Sequence, residues 1–170
     1  MSLDVYLIVE KPIKKKKSSG IFIRENGQTK EILRQAWGMK YEGEPVIFND
    51  NEAETTTVYS ANITHNLNRM ADAAGVYDVL WRPYMLKNPP HFSNDEYSKE
   101  MEFENTQTIY ANELIEPLRE GLHKLKMNPE EYKKYNPENG WGSYDGLVSF
   151  IQDYLNACYK YKNAIVKVDR

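Results

Sequence analysis

The sequence predicts an α+β fold, a mainly antiparallel sheet packed against about three to four helices, with a C-terminal strand returning to the sheet. Three observations carry this. Segments with period-two alternation gather before residue 60, apolar residues at helical spacing gather after it, and the β-branched run Ala164-Ile165-Val166-Lys167-Val168 closes the chain. Strands clustered first and helices later, without strict alternation, argue against a doubly wound sheet. At 170 residues the chain is expected to form one domain, 1–170, since this length buries roughly 70% of its extended surface without disulfide or metal staples.

Each element has its own signal. Leu3, Val5, Leu7 and Val9 alternate with Asp4, Tyr6, Ile8 and Glu10, which predicts a first strand with one buried face. Lys11-Pro12, four lysines at 14–17 and Ser18-Ser19-Gly20 repel one another and read as a solvated loop or hairpin tip. Ile21-Phe22-Ile23-Arg24 resumes as a strand before Asn26-Gly27, a tight-turn dipeptide because both residues tolerate positive φ. From Thr29 to Trp37 a strand and a helix remain equally open. Residues 45–48 and 55–59 read as two more strands around an acidic turn at 49–54.

The helical part opens with Thr64 as a candidate cap, followed by Leu67, Met70, Ala71 and Ala74 at helical spacing and a stop at Gly75. A short helical piece runs through Val76, Val79 and Leu80 to Trp81-Arg82, where Pro83 forces Arg82 out of helical geometry. Residues 87–105 show little periodicity and read as an exposed insertion. Leu114, Leu118, Leu122 and Leu125 predict a helix from near Asn112, with Pro117 either kinking it or defining its first turn. Asn128-Pro129 begins a short acidic-headed helix. In the last helix, Ser143 is the cap and Leu147, Phe150, Ile151, Tyr154, Leu155 and Cys158 form the buried stripe. The closing strand is expected to be central or paired with the first.

Composition excludes several functions. With 41% hydrophobic and 28% charged residues the chain is neither disordered nor membrane-embedded, and no run approaches the ~18 apolar residues of a spanning helix, so no membrane partner is expected. A net charge of -3, from 25 acids and 22 bases, lacks the basic excess of a general DNA binder, so nucleic acid is not expected as a partner. Cys158 is the only cysteine, as suits a reducing cytoplasm, and the N-terminus lacks the charge order of a secretory signal. The expected location is therefore cytoplasmic. The 13 Tyr and 3 Trp against 5 Phe supply many flat faces with a polar edge, which suit interfaces and nucleobase or sugar sites as well as half-wet cores.

Three stretches stand out: Tyr59-Ser60-Ala61-Asn62-Ile63-Thr64-His65-Asn66-Leu67, Leu80-Trp81-Arg82-Pro83 and Asn139-Gly140-Trp141-Gly142-Ser143-Tyr144. With the opening Ser2-Leu3-Asp4-Val5-Tyr6-Leu7 and the closing Val166-Lys167-Val168-Asp169-Arg170, the chain resembles a family of small proteins from bacteria and their phages. The resemblance spans the first strand and most of the chain from Tyr59 onward. It supplies no reaction, because that family carries no settled activity. Its members pass quickly from the first strand to the Ala-Asn-Ile-Thr-His-Asn segment, which implies that 11–54 and 87–106 are insertions.

The same stretches hold the candidate ligand-binding residues Asn62, Thr64, His65, Asn66, Trp81, Arg82, Asn139, Trp141 and Tyr144. At a helix start, backbone amides and the macrodipole cradle anions, although capping by Thr64 or Asn62 and a backbone bond from His65 account for the same residues. Arg82 suits a phosphate and Trp81 a base, unless Trp81 fills the core and Arg82 ties down helix carbonyls. The Gly-Trp-Gly loop lets backbone approach a ligand under Trp141, or else only turns the chain. No metal or other cofactor is expected: His65, His91 and His123 lack ligand spacing, and Cys158 follows an apolar rhythm that marks burial.

These residues predict non-enzymatic binding of a small anionic, nucleotide-like molecule, with Thr64 to Asn66 and Arg82 taking the charge and Trp81, Trp141 or Tyr144 covering the base. With the phage resemblance this implies a sponge that sequesters a host immune signal, homo-oligomeric where one protomer closes on another. One alternative is a protein-interaction module that uses the same aromatics to block a host defence protein. Another is a phosphate-directed hydrolase with His65 as general base.

Overall fold

The computed structural model describes residues 2–11, 16–48, 55–92 and 96–170. In chain order its strands are β1 (Ser2–Glu10), β2 (Lys16–Ser18), β3 (Phe22–Glu25), β4 (Gln28–Glu31), β5 (Val46–Phe48), β6 (Thr55–Thr64) and β7 (Ile165–Asp169). Its α-helices are α1 (Asn68–Ala73), α2 (Tyr77–Trp81), α3 (Tyr97–Thr106), α4 (Ala111–Met127), α5 (Pro129–Lys133) and α6 (Tyr144–Lys160). Where length suggests one domain, the chain divides into two compact units: a body of Met1–Val9 with Thr56–Arg170, and a second unit of Glu10–Thr55. The reason is local pairing, because in the second unit β2 pairs with β5 and β3 with β4, both antiparallel.

The body is α+β as expected. Its sheet has the order β6-β1-β7, and β1 runs antiparallel to β7 from Asp4↔Asp169 to Ile8↔Ile165. β6 is antiparallel to β1 as well: Asn62 Nδ2 near its end donates to Asp4 Oδ1 at 2.6 Å, and His65 Nε2 lies 2.9 Å from the Ser2 carbonyl. The closing strand therefore does pair with the first, but lies at the sheet edge because β1 takes the centre. Alternation along β1 holds for Leu3, Val5 and Leu7, all fully buried, and ends before Val9, which is exposed. Helices cover that apolar face, and burying each Leu side chain contributes roughly 1.5–3 kcal/mol.

Thr64 caps a single 3-10 turn, His65–Leu67, that leads into α1, and Gly75 follows at φ +76. In α4 the leucine stripe Leu114, Leu118, Leu122 and Leu125 is buried against α6. Tyr110 caps α4, its N–H donating to the Glu113 carboxylate at 2.9 Å while the Glu113 N–H donates to the Tyr110 carbonyl. Pro117 therefore lies inside the helix and not in its first turn, where it removes one backbone N–H. Ser143 caps α6 by accepting from the Gly146 N–H at 3.1 Å, and the whole predicted stripe from Leu147 to Cys158 is buried.

Two expectations give way. The segment 87–105, read as irregular, contains α3, which buries none of its residues. With no apolar stripe it carries no helical period, and it is held instead by ion pairs from Glu100 to Arg82 and from Glu104 to Arg170, and by ring contacts of Phe103 with Tyr84 and Phe92. Part of the lysine loop is the short strand β2, because Ser18 is buried and donates to the Glu31 carboxylate at 2.6 Å. Residues 12–15 of that loop, and the acidic turn at 49–54, lie outside the described residues.

The undecided stretch becomes β4 and then a 3-10 turn, Gln35–Trp37. Asn26-Gly27 makes the tight turn between β3 and β4 as expected, with φ of 50° and 79°. No helix among the described residues is long and apolar enough to cross a membrane.

Candidate functional site

The structure sends the nine candidate residues to different places. Asn62 is exposed and holds Asp4. Thr64 Oγ1 accepts from the Asn66 N–H at 3.3 Å, so the amide proposed to cradle an anion is already bonded. His65 meets the Ser2 carbonyl through Nε2 and packs edge-on against Trp81 at 5.9 Å, which makes it a strap between β6 and β1. Capping thus accounts for this segment physically.

Trp81 is 1% exposed and stacks on Tyr77 at 5.2 Å, with its Nε1 buried and unbonded. It serves as packing and cannot cover a base. Tyr144 is likewise buried, its hydroxyl donating to the Leu125 carbonyl at 2.9 Å and its N–H to Asn136 Oδ1 at 2.6 Å. Asn139 Oδ1 accepts from the Trp141 N–H at 2.9 Å, a local turn that leaves the Trp141 side chain 72% exposed. Gly142, at φ +107, presses this loop against the β6–α1 junction: a Cβ there would lie 2.8 Å from Thr64 Cγ2 and 2.9 Å from Leu67 Cγ. The Asn-Gly-Trp-Gly and Ile-Thr-His-Asn segments therefore do meet, through backbone packing.

Arg82 goes elsewhere. Its backbone, at φ −139 and ψ 55 before Pro83, ends α2 and turns the side chain toward α3. Nε donates to the Tyr84 hydroxyl at 2.8 Å and Nη2 pairs with Glu100. A cleft of about 580 Å³ is lined by Arg82 and Arg170 with Glu100 and Glu104, and by Tyr77 and Tyr97. It contains neither His65 nor Trp141. Its two guanidinium groups are already matched by two carboxylates, so it offers no surplus of positive charge to an anion.

Other polar groups explain themselves by burial. Burial, with smaller effects from Asp153 and Cys158, pushes the Tyr59 hydroxyl up to about 12, and burial alone pushes the Cys158 thiol up to about 12. Burial also raises Tyr154, which stacks on Tyr59 at 5.7 Å. Such a thiol stays protonated and inert at neutral pH. Burial works to raise the Glu113 carboxyl, but its bonds from Lys87 and the Tyr110 N–H prevail and hold it below the usual range. Among the described residues no three His, Cys, Asp or Glu side chains converge on a common point.

A second candidate lies in the Glu10–Thr55 unit. Leu33, Trp37, Met39 and Tyr41 are 66%, 61%, 44% and 74% exposed within nine consecutive residues. The loop that carries them is pinned: Arg34 Nε donates to the Ser19 carbonyl at 2.7 Å and its Nη1 to the Glu42 carbonyl at 2.8 Å. Glu31 accepts from the Ser18 hydroxyl and the Ser19 N–H, both at 2.6 Å. Within residues 17–46, only Ser18 is buried. Sequence reading missed this loop, although four large apolar residues within nine, Leu33, Trp37, Met39 and Tyr41, were a usable signal.

No known protein family, curated protein or solved structure matches the chain.

Proposed function

We propose that the protein is a protein-interaction module, and that the loop from Leu33 to Tyr41 is its contact surface. One observation carries the reading: residues 17–46, whose burial is described, include no buried apolar side chain, yet two aromatic and two aliphatic or thioether side chains stand exposed on a hydrogen-bonded loop. Large apolar groups left in water mark binding surfaces, and Trp and Tyr dominate the centres of protein interfaces. Pinning the loop in advance lowers the ordering cost of association. The phage resemblance implies a host defence protein as the partner class, blocked by such contact. Homo-oligomerisation is the same reading with a second copy as partner.

Nucleotide binding is the weaker reading, because Trp81 and Tyr144 are packing residues and Arg82 is paired with Glu100. Cross-linking through lysine, followed by mass spectrometry, tests the proposal in cells that make the full chain. Cross-links from Lys40 or Lys30 to a partner should appear, and should fall at least about tenfold in a Leu33→Ser, Trp37→Ala, Tyr41→Ser variant whose circular dichroism is unchanged. Cross-links that persist in the variant overturn it. A melting temperature that rises with added nucleotide and depends on Arg82 would favour the other reading.

A further inference from the structure

Strand β7 is an edge strand whose outer edge is only half paired. The Ala111 N–H donates to the Ala164 carbonyl, and the Val166 N–H to the Ile109 carbonyl, both at 2.9 Å, forming an antiparallel bridge at Tyr110 and Ile165. In an extended strand the N–H and C=O of one residue share an edge, and those of the next residue take the other edge. The Val166 bond therefore assigns Val166 and Val168 to the outer edge, and Ile165, Lys167 and Asp169 to the ladder with β1. Beyond Ile109 the neighbouring chain departs. The Val166 carbonyl and both backbone groups of Val168 are left without a hydrogen-bond partner among the described residues.

Beside these groups lies a cleft of about 490 Å³, lined by Gln107, Thr108 and Ile109 across from β7, and by Pro83 and Tyr84. Three features specify what fits there. An array of N–H and C=O groups at strand spacing matches an extended backbone. A residue opposite Val168 would share its face of the sheet, the face of buried Val5, where Pro83, Tyr84 and Ile109 offer apolar contact. Its two neighbours would lie on the other face, opposite Lys167 and Asp169. Asp169 already stands opposite Asp4 in the β1 register, so a cation there relieves a like-charge pair, while Lys167 calls for an acid. Glu104, which also lines the cleft, is matched by Arg170 and leaves this pattern unchanged.

We propose that this half-open edge is a docking site for an extended peptide segment of a partner protein. The segment runs antiparallel to β7 with the pattern basic, apolar, acidic, and its apolar residue lies opposite Val168. That residue exchanges both backbone hydrogen bonds with Val168, and the segment ends short of Ile109, which already stands opposite Val166. The site belongs to the body and is independent of the Leu33–Tyr41 loop, so either proposal can fail alone.

Nuclear magnetic resonance on the full-length protein tests it with three blocked pentapeptides: Ser-Arg-Leu-Glu-Ser, its charge-reversed form Ser-Glu-Leu-Arg-Ser, and the first peptide carrying N-methylleucine. The first should shift the Val168 amide saturably and slow its hydrogen exchange. Charge reversal should weaken binding about fivefold, and N-methylation at least about tenfold, because it removes the donor to the Val168 carbonyl. The K167E/D169K variant should prefer the charge-reversed peptide. The proposal is overturned if the Val168 amide does not respond at millimolar peptide, if the N-methylated peptide binds as well as its parent, or if the folded double variant keeps the original preference.

Discussion

In the body, Leu3, Trp81, Leu114, Leu147 and Tyr154 are sealed from water in one contiguous cluster. In the Glu10–Thr55 unit, Leu33, Trp37 and Tyr41 stand in solvent, and strand pairs with hydrogen-bonded loops hold the chain instead. Apolar side chains thus differ between the two units: in the first they are packed together, and in the second Leu33, Trp37, Met39 and Tyr41 stand in water, where the proposed contact surface lies. A segment of the second unit's size is near the lower limit for folding unaided, about 40–60 residues, and rarely builds a core that closes over its own large residues. The proposed contact surface draws on the exposed Trp37 and Tyr41 of this unit.

Substitutions measure that contrast directly. The largest effect belongs to the body's core, where Leu118→Ala should cost about 2–5 kcal/mol in denaturant unfolding. A smaller cost would mean that the α4 and α6 contact is looser than its burial indicates. High pH comes next and acts on the same core. Tyr59, Tyr154 and Cys158 have folded pKa values above their ordinary ones, so the unfolded chain releases protons first and stability falls as pH rises. The stability they contribute is complete below the ordinary thiol value of 9.0 and is progressively lost toward about 12. Unfolding free energies measured from about pH 8 to 11 should decline through that window, and a flat profile would contradict the burial of these groups.

Gly142→Ala should cost about 1–3 kcal/mol, since the added methyl meets Thr64 and Leu67 and the backbone sits at φ +107. In the second unit, Arg34→Ala should lower the free energy of local opening across residues 33–43 by about 1–2 kcal/mol, as read by hydrogen exchange, without altering exchange in α4 or α6. The smallest effect sharpens the comparison most. Trp37→Ala should change stability by no more than about 0.5 kcal/mol, because its ring packs on little. A loss comparable to that of Leu118→Ala would mean that the ring is a core residue after all.

Much of the body was legible from local patterns. Ser143 and the apolar rhythm of α6 defined a helix whose every predicted stripe residue is buried, and in the Glu10–Thr55 unit Asn26-Gly27 marked its turn by backbone preference alone. The candidate site was far less legible. Trp81 and Arg82 are neighbours in sequence, yet one points into the core and the other reaches α3, because the chain leaves helical geometry at Arg82 before Pro83. α3 itself carries no apolar period, and its partners Arg82 and Arg170 lie 18 and 66 residues away from Glu100 and Glu104.

By itself the sequence determined the α+β class, the cap of α6, the buried stripes of α4 and α6, and a closing strand that returns to the sheet, since propensity, periodicity and turn chemistry act over a few residues. Only the tertiary structure decided which aromatics are packing and which face water, and how far the outer edge of β7 is paired. Those outcomes depend on contacts between residues far apart in the chain, and an indole or a guanidinium suits a core, an ion pair or an interface equally well until its neighbours are in place.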